Sequence, residues 1–227
     1  GIENYYGMNE YGNKKDFDGL WGIWDHKFLS YYAESLNTFT EPFFSSIFTV
    51  TSHHPFVIPK EFKNKFKKGK NPMYECVQYT DYSLKLFFNN IKKEDWYKNT
   101  LFVITADHTN TSSNKEYKTS NGIFKVPIVF FDPSNDTLKG ISNMVFQQID
   151  IVPSILSYLN FPNDHASFGK NIFKKETEVS YAINYHNGYQ LITPNTFIKY
   201  NEDEERVIEV YNLKEDRLLE NNIINDS

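Results

Sequence analysis

Apolar and polar positions along the chain alternate between two periods, and the alternation predicts a layered α/β order. In "DHKFLSYYAESL" (25–36), Phe28, Leu29, Tyr32, Ala33 and Leu36 recur at helical spacing, so a helix is expected with Asp25 as its N-cap. "PFFSSIFTVTSHHPF" (42–56) is a short β-branched and aromatic run closed by Pro55, and it predicts a strand ending near "TSHH". Asn71 can cap a further helix whose first turn holds Pro72. Met73, Val77, Thr80, Leu84, Phe87, Phe88 and Ile91 then carry its apolar face from about 72 to about 93. "LFVITA" (101–106) is apolar throughout, as a strand covered on both faces would be, and "IVFF" after Pro127 predicts another. "MVFQQIDIVPSILSYL" (144–159) reads as helical in its second half, with Asp150 as N-cap and Pro153 close behind. Past about residue 178, short alternating runs around "HNG" and "NEDEE" predict an antiparallel meander.

Strands alternating with helices argue for a mostly parallel central sheet flanked by helices, with the meander as a small C-terminal antiparallel extension. The expected division is 1–177 for the main layer and 178–227 for a subdomain packed on it. The 227 residues suffice for one sizeable core, and 40% hydrophobic with 17% aromatic content excludes a disordered chain. A net charge of −5 argues against nucleic-acid binding. The basic run "KEFKNKFKKGK" (60–70) reads as a solvated loop or, alternatively, as a surface for anionic headgroups. A single cysteine, Cys76, excludes an internal disulfide and a cysteine zinc site, and reads as an apolar filler. No apolar run reaches membrane-spanning length and no signal peptide opens the chain, so any targeting device is expected outside it.

In an open parallel sheet, ligands bind beyond the carboxyl ends of the strands. Two predicted strands end in polar residues: one in Ser52, His53 and His54, the other in Asp107 and His108, and the same edge would hold both. A carboxylate and a neutral imidazole suit Mn²⁺, Zn²⁺ or Mg²⁺, and such an ion could offset charge developing on a phosphoryl or sulfuryl group. The pair has a plainer reading too, because Asp also caps helices and closes Asx-turns.

Order and spacing add a resemblance. "TVTSHHPFVIP", "YTDYSLKLFFNNIKKEDWYKNTLFVITADHT", "VPIVFFDP", "QQIDIVPSIL" and "FGKNIF" together resemble the extracellular catalytic domain of lipoteichoic acid synthase-like proteins, in the sulfatase group of the alkaline phosphatase superfamily. "VIEVYNLKEDRLLENN" is similar to the closing segment of sulfatases. The resemblance implies an alkaline-phosphatase-like fold and a metal-dependent phosphate or sulfate ester transferase or hydrolase, most like a phosphoglycerol transferase. A true sulfatase, or a non-catalytic domain binding anionic glycan or lipid, is the alternative. An isomerase of the superfamily would normally need two metals, and one clear ligand pair is present.

The resemblance also implies that Asp107 and His108 are metal ligands, manganese first, with calcium, magnesium or zinc as substitutes. His53 falls where the family holds the oxygens of the transferred group, and His54 occupies a variable position. The family's nucleophile lies upstream, and neither Thr105 nor Thr109 matches it. The chain is therefore expected to be a fragment, inactive alone, of an enzyme anchored in the cell membrane with its catalytic domain outside. Its expected partners are an anionic lipid headgroup or a sulfated or phosphorylated glycan. Asp150 is explained by capping and His186 by a surface hairpin. His26 and His165 have no partner that the sequence identifies. Trp21 and Trp24 read as core packing, or as the mouth of the site.

Overall fold

The computed structural model describes residues 2–174 and 180–224. The chain forms, in order, α1 (Met8–Tyr11), α2 (Asp25–Leu36), α3 (Met73–Ile91), β1 (Phe102–Thr105), β2 (Ile128–Phe131), α4 (Ile151–Tyr158), β3 (Ala182–Tyr185), β4 (Tyr189–Ile192), β5 (Thr196–Asn201) and β6 (Arg206–Asn212). It divides into two compact units: Gly1–Phe102 with Phe131–Asp136, and Val103–Phe130 with Thr137–Ser227. The expected boundary at 177/178 lies outside the described residues.

The first unit is built on α2 and α3. Leu29, Ala33 and Leu36 of α2 meet Phe87 and Ile91 of α3 and Trp96 beyond it in one buried cluster. Burying each of the leucine, isoleucine and phenylalanine side chains contributes about 1.5–3 kcal/mol. The Asn71 side chain accepts the Met73 N–H at 3.0 Å, but the cap position falls on Pro72 and α3 starts at Met73, one residue later than expected. The start of α2 differs, because Trp24 takes the cap position and Asp25 is the first helical residue. Asp25 instead turns a buried carboxylate away from its own helix, as described below.

Residues 42–56 depart further from expectation, since no strand is formed there among the described residues. Side chains do alternate from 43 to 48. Phe43 and Ile47 pack on the helical cluster, while Phe44 and Phe48 are exposed. The period of two is a property of the run itself, whereas a strand also needs a hydrogen-bonded neighbour, which none of the described residues supplies. In the lysine-rich loop, Phe62 and Phe66 turn inward onto Tyr79 and Tyr82, and Gln78 holds both the N–H and the carbonyl of Lys67. The lysines between them are exposed.

β1 and β2 pair as a two-stranded sheet, and in the second unit β3-β4-β5-β6 form a four-stranded antiparallel one. The register runs Ala182↔Ile192, Ile192↔Phe197 and Phe197↔Tyr211 across its strands. Ile192, Phe197 and Tyr211 form its buried face. This is the expected antiparallel extension. Asp150 precedes α4 but makes no side-chain cap to it; its carboxylate accepts the Gln147 N–H at 2.9 Å and the Lys170 N–H at 2.7 Å. That bond pins "FGKN" against "QQID". A Cβ on Gly169 would lie 2.0 Å from the Ile149 carbonyl oxygen, so only glycine permits the approach.

Candidate functional site

Asp107 and His108 come one residue, Ala106, after the end of β1, where the chain leaves the sheet. The Asp107 Oδ1 accepts the His108 N–H at 2.9 Å, a contact between adjacent residues that holds the carboxylate beside the imidazole. The other oxygen, Oδ2, lies 3.5 Å from His108 Nε2. His108 Nδ1 lies 2.6 Å from the Thr109 carbonyl oxygen. A carbonyl can only accept, so Nδ1 carries a proton and Nε2 is the nitrogen that faces the Asp107 carboxylate.

This donor set fits a divalent cation. Bonds of about 2.1 Å opened at a tetrahedral angle separate two donor atoms by about 3.4 Å. The Nδ1–H to carbonyl bond is the outer support by which a ligating histidine is usually held. Both side chains are half or more exposed, so an ion could reach them. Two ligands do not complete a coordination shell, and no group of three or more His, Cys, Asp or Glu that could hold an ion occurs among the described residues.

The loop after the pair is held from two sides that the sequence reading missed. Gln148 Nε2 donates to the carbonyls of both Ala106 and Asp107, each at 2.7 Å. Thr109 Oγ1 donates to the Ile123 carbonyl, and Thr105 Oγ1 to the Pro127 carbonyl at 2.9 Å. Both hydroxyls are thus committed as donors to backbone, and among the described residues no side-chain base bonds to either one. Gly122 makes the return of this loop possible, since a Cβ there would meet the Glu116 carbonyl oxygen at 1.8 Å. The clue to Gln148 was its place in "QQID", but nothing local in that motif shows where a glutamine side chain will reach.

His53 belongs to the first unit and lies in a turn after the unpaired run, not at a strand end. Its Nδ1 is 3.1 Å from the Val50 carbonyl oxygen, which again places the proton on Nδ1. Its ring lies against Trp21 with centroids 4.7 Å apart and planes inclined by 36°. Trp21, read as core packing, is in fact 52% exposed and donates its indole N–H to the His54 carbonyl at 2.8 Å. The His54 ring meets Phe56 edge-on.

The remaining histidines are placed as follows. His26 Nδ1 lies 2.6 Å from the buried Tyr79 hydroxyl, a partner 53 residues away that no local pattern discloses. His186 is exposed at the β3–β4 turn and meets Phe124 edge-on. His165 is exposed in the loop after α4.

The sulfatase family model matches residues 1–161. The chain is 30% identical over 113 residues to the lipoteichoic acid synthase-like protein YvgJ of Bacillus subtilis, covering 48% of this chain and 18% of that protein. It is 26% identical over 196 residues to the lipoteichoic acid synthase of Staphylococcus aureus, covering 77% of this chain and 30% of the relative. The chain thus spans less than a third of the length of the curated relatives it matches. Its fold is similar to the crystal structure of the lipoteichoic acid synthase LtaP from Listeria monocytogenes. That likeness has a TM-score of 0.78 at 18% identity, over 94% of this chain and 57% of that one. The architecture is therefore alkaline-phosphatase-like, and the chain belongs to the sulfatase family.

Proposed function

We propose that this chain supplies the metal-binding and oxyanion-contact residues of a phosphate or sulfate ester transferase or hydrolase, most like a phosphoglycerol transferase. The observation that carries the reading is the Asp107–His108 pair, with Oδ2 and Nε2 3.5 Å apart and the histidine tautomer set by the Thr109 carbonyl. Asp107 and His108 would hold a divalent cation, manganese first, which when bound supplies positive charge beside the reacting group. The remaining positions of the ion fall to water, to substrate or to side chains outside those described.

Gln148 keeps the backbone under the pair from relaxing, so the two donor atoms are presented together. His53 contacts the non-reacting oxygens of the transferred group. Because its Nδ1 is committed to Val50, Nε2 is the nitrogen through which it meets an oxyanion. Thr105 and Thr109 serve the loop as hydroxyl donors, and we place the nucleophile outside the described residues.

The likeness to lipoteichoic acid synthases favours an anionic lipid headgroup as donor, met at the outer face of the cell membrane. Among the described residues no helix is long and apolar enough to cross a membrane, and we assign the anchor to sequence beyond them. A sulfate ester is the second reading, favoured by the family model itself. The native protein, assayed in parallel with a labelled phosphatidylglycerol and an aryl sulfate, tests the choice. Manganese-dependent release of diacylglycerol abolished by His108→Ala is expected. Turnover of the sulfate alone would overturn phosphoglycerol transfer, and turnover of neither would overturn the enzymatic reading.

A further inference from the structure

We infer that Asp25 and Trp21 form a two-sided brace that orients His53, which makes them positioning residues for the oxyanion contact. The inference rests on the reading of His53 given above. Asp25 is only 2% exposed, yet its carboxylate leaves its own helix and crosses to the segment before His53. Oδ1 accepts the N–H groups of Val50 and Thr51 at 3.0 and 3.2 Å, and Oδ2 accepts the Thr80 hydroxyl at 2.8 Å. The Val50 carbonyl in turn accepts both the backbone N–H of His53 at 3.3 Å and its Nδ1–H at 3.1 Å. One residue, Val50, is therefore gripped at its N–H by Asp25 and grips the imidazole with its carbonyl.

On the other side, Trp21 holds His53 and its neighbour. Its ring lies against the imidazole at a 36° tilt, and its N–H donates to the carbonyl of the next residue, His54. The turn of Leu20, Trp21 and Gly22 that presents the indole is itself fixed, with all three backbone N–H groups donating to Asp18 Oδ1 at 2.8, 2.8 and 3.1 Å. With Nδ1 tied to Val50 and the indole packed against the ring at 4.7 Å, both the tautomer and the rotamer of the imidazole are constrained. Nε2 is the nitrogen left without a protein partner among the described residues. A buried anion used for backbone, and an exposed tryptophan used for a histidine, are both better explained by holding His53 than by core stability alone.

The test is nitrogen and proton NMR of the histidine rings in the purified protein, with His53 assigned through His53→Gln. Wild type should show His53 with its proton on Nδ1 and ring protons displaced by the indole. Trp21→Ala should abolish that displacement, and Trp21→Phe should restore part of it. Asp25→Ala should give mixed tautomers, while Asp25→Asn, which keeps an acceptor at Oδ1, should preserve Nδ1–H. Trp21 is exposed, so its variants report even where Asp25→Ala fails to fold. Unchanged His53 shifts in Trp21→Ala, or an Nε2–H tautomer in wild type, would overturn the brace. Titration with glycerol 3-phosphate separates the two readings. Trp21→Ala should weaken its effect on the His53 signal about tenfold. An ordered His53 that does not respond to the phosphate would leave the brace standing and overturn the oxyanion contact.

Discussion

The Asp25 carboxylate accepts the Thr80 hydroxyl at 2.8 Å, joining the first residue of α2 to the face of α3. Its remaining oxygen serves Val50 and Thr51. Removing it leaves one buried and one part-buried N–H and a hydroxyl without their acceptor, a cost of about 3 kcal/mol for Asp25→Ala. Asp25→Asn retains an acceptor and should cost about 1 kcal/mol. Urea denaturation followed by circular dichroism checks both, and equal losses would contradict this account of the carboxylate.

His26 gives the protein a pH-dependent term. Burial, and next the charge of Lys27, lower its pKa below the ordinary 6.5 against the opposing pull of Glu61, Asp16 and Asp25. The unfolded chain then binds more protons than the folded one between the lowered value and the ordinary one, so stability rises with pH across that window. The contribution is complete above the ordinary histidine range and is lost as pH falls through it. Tm measured from pH 8 down to pH 5 should drop less in His26→Gln than in wild type. Parallel curves would refute this.

Two glycines are set by close backbone approach rather than by turn geometry. A Cβ at Gly169 would meet the Ile149 carbonyl, and one at Gly122 the Glu116 carbonyl. Gly169→Ala and Gly122→Ala should each destabilise the protein by about 2 kcal/mol or more, because backbone must move. Thermal unfolding reads the effect, and a loss under about 0.5 kcal/mol, typical of a surface change, would show the contacts to be slack.

Much of the fold was legible because it follows from local periodicity. Both long helices, β1, β2 and the closing meander sit where the spacing placed them. What failed was long-range. The run at 43–50 has the alternation of a strand, but ladder formation depends on a neighbour that no pattern within the run specifies. Asp25 sits at a helix start where an N-cap is the local expectation, and its partners Val50, Thr51 and Thr80 lie 25 to 55 residues away. Asp107 and His108 were readable because adjacent residues meet whatever the tertiary structure does. Gln148 was not, since its target is 41 and 42 residues back along the chain.

That long reach carries a prediction of its own. Gln148→Ala removes both bonds to the carbonyls of Ala106 and Asp107 without touching either proposed ligand, and outer supports of this kind typically alter metal affinity 10- to 100-fold. Manganese titration of Gln148→Ala should show about tenfold weaker binding with the stoichiometry unchanged. Equal affinity would remove Gln148 from the site.

The most direct measurement is manganese binding to the native protein by calorimetry, with wild type compared with Asp107→Ala and His108→Ala. One ion per chain is expected, bound at least about tenfold more weakly in either variant, as loss of a ligand costs more than loss of its support. Wild-type affinity retained in both variants, or no ion bound by the native protein, would contradict the assignment of Asp107 and His108 as a metal-holding pair.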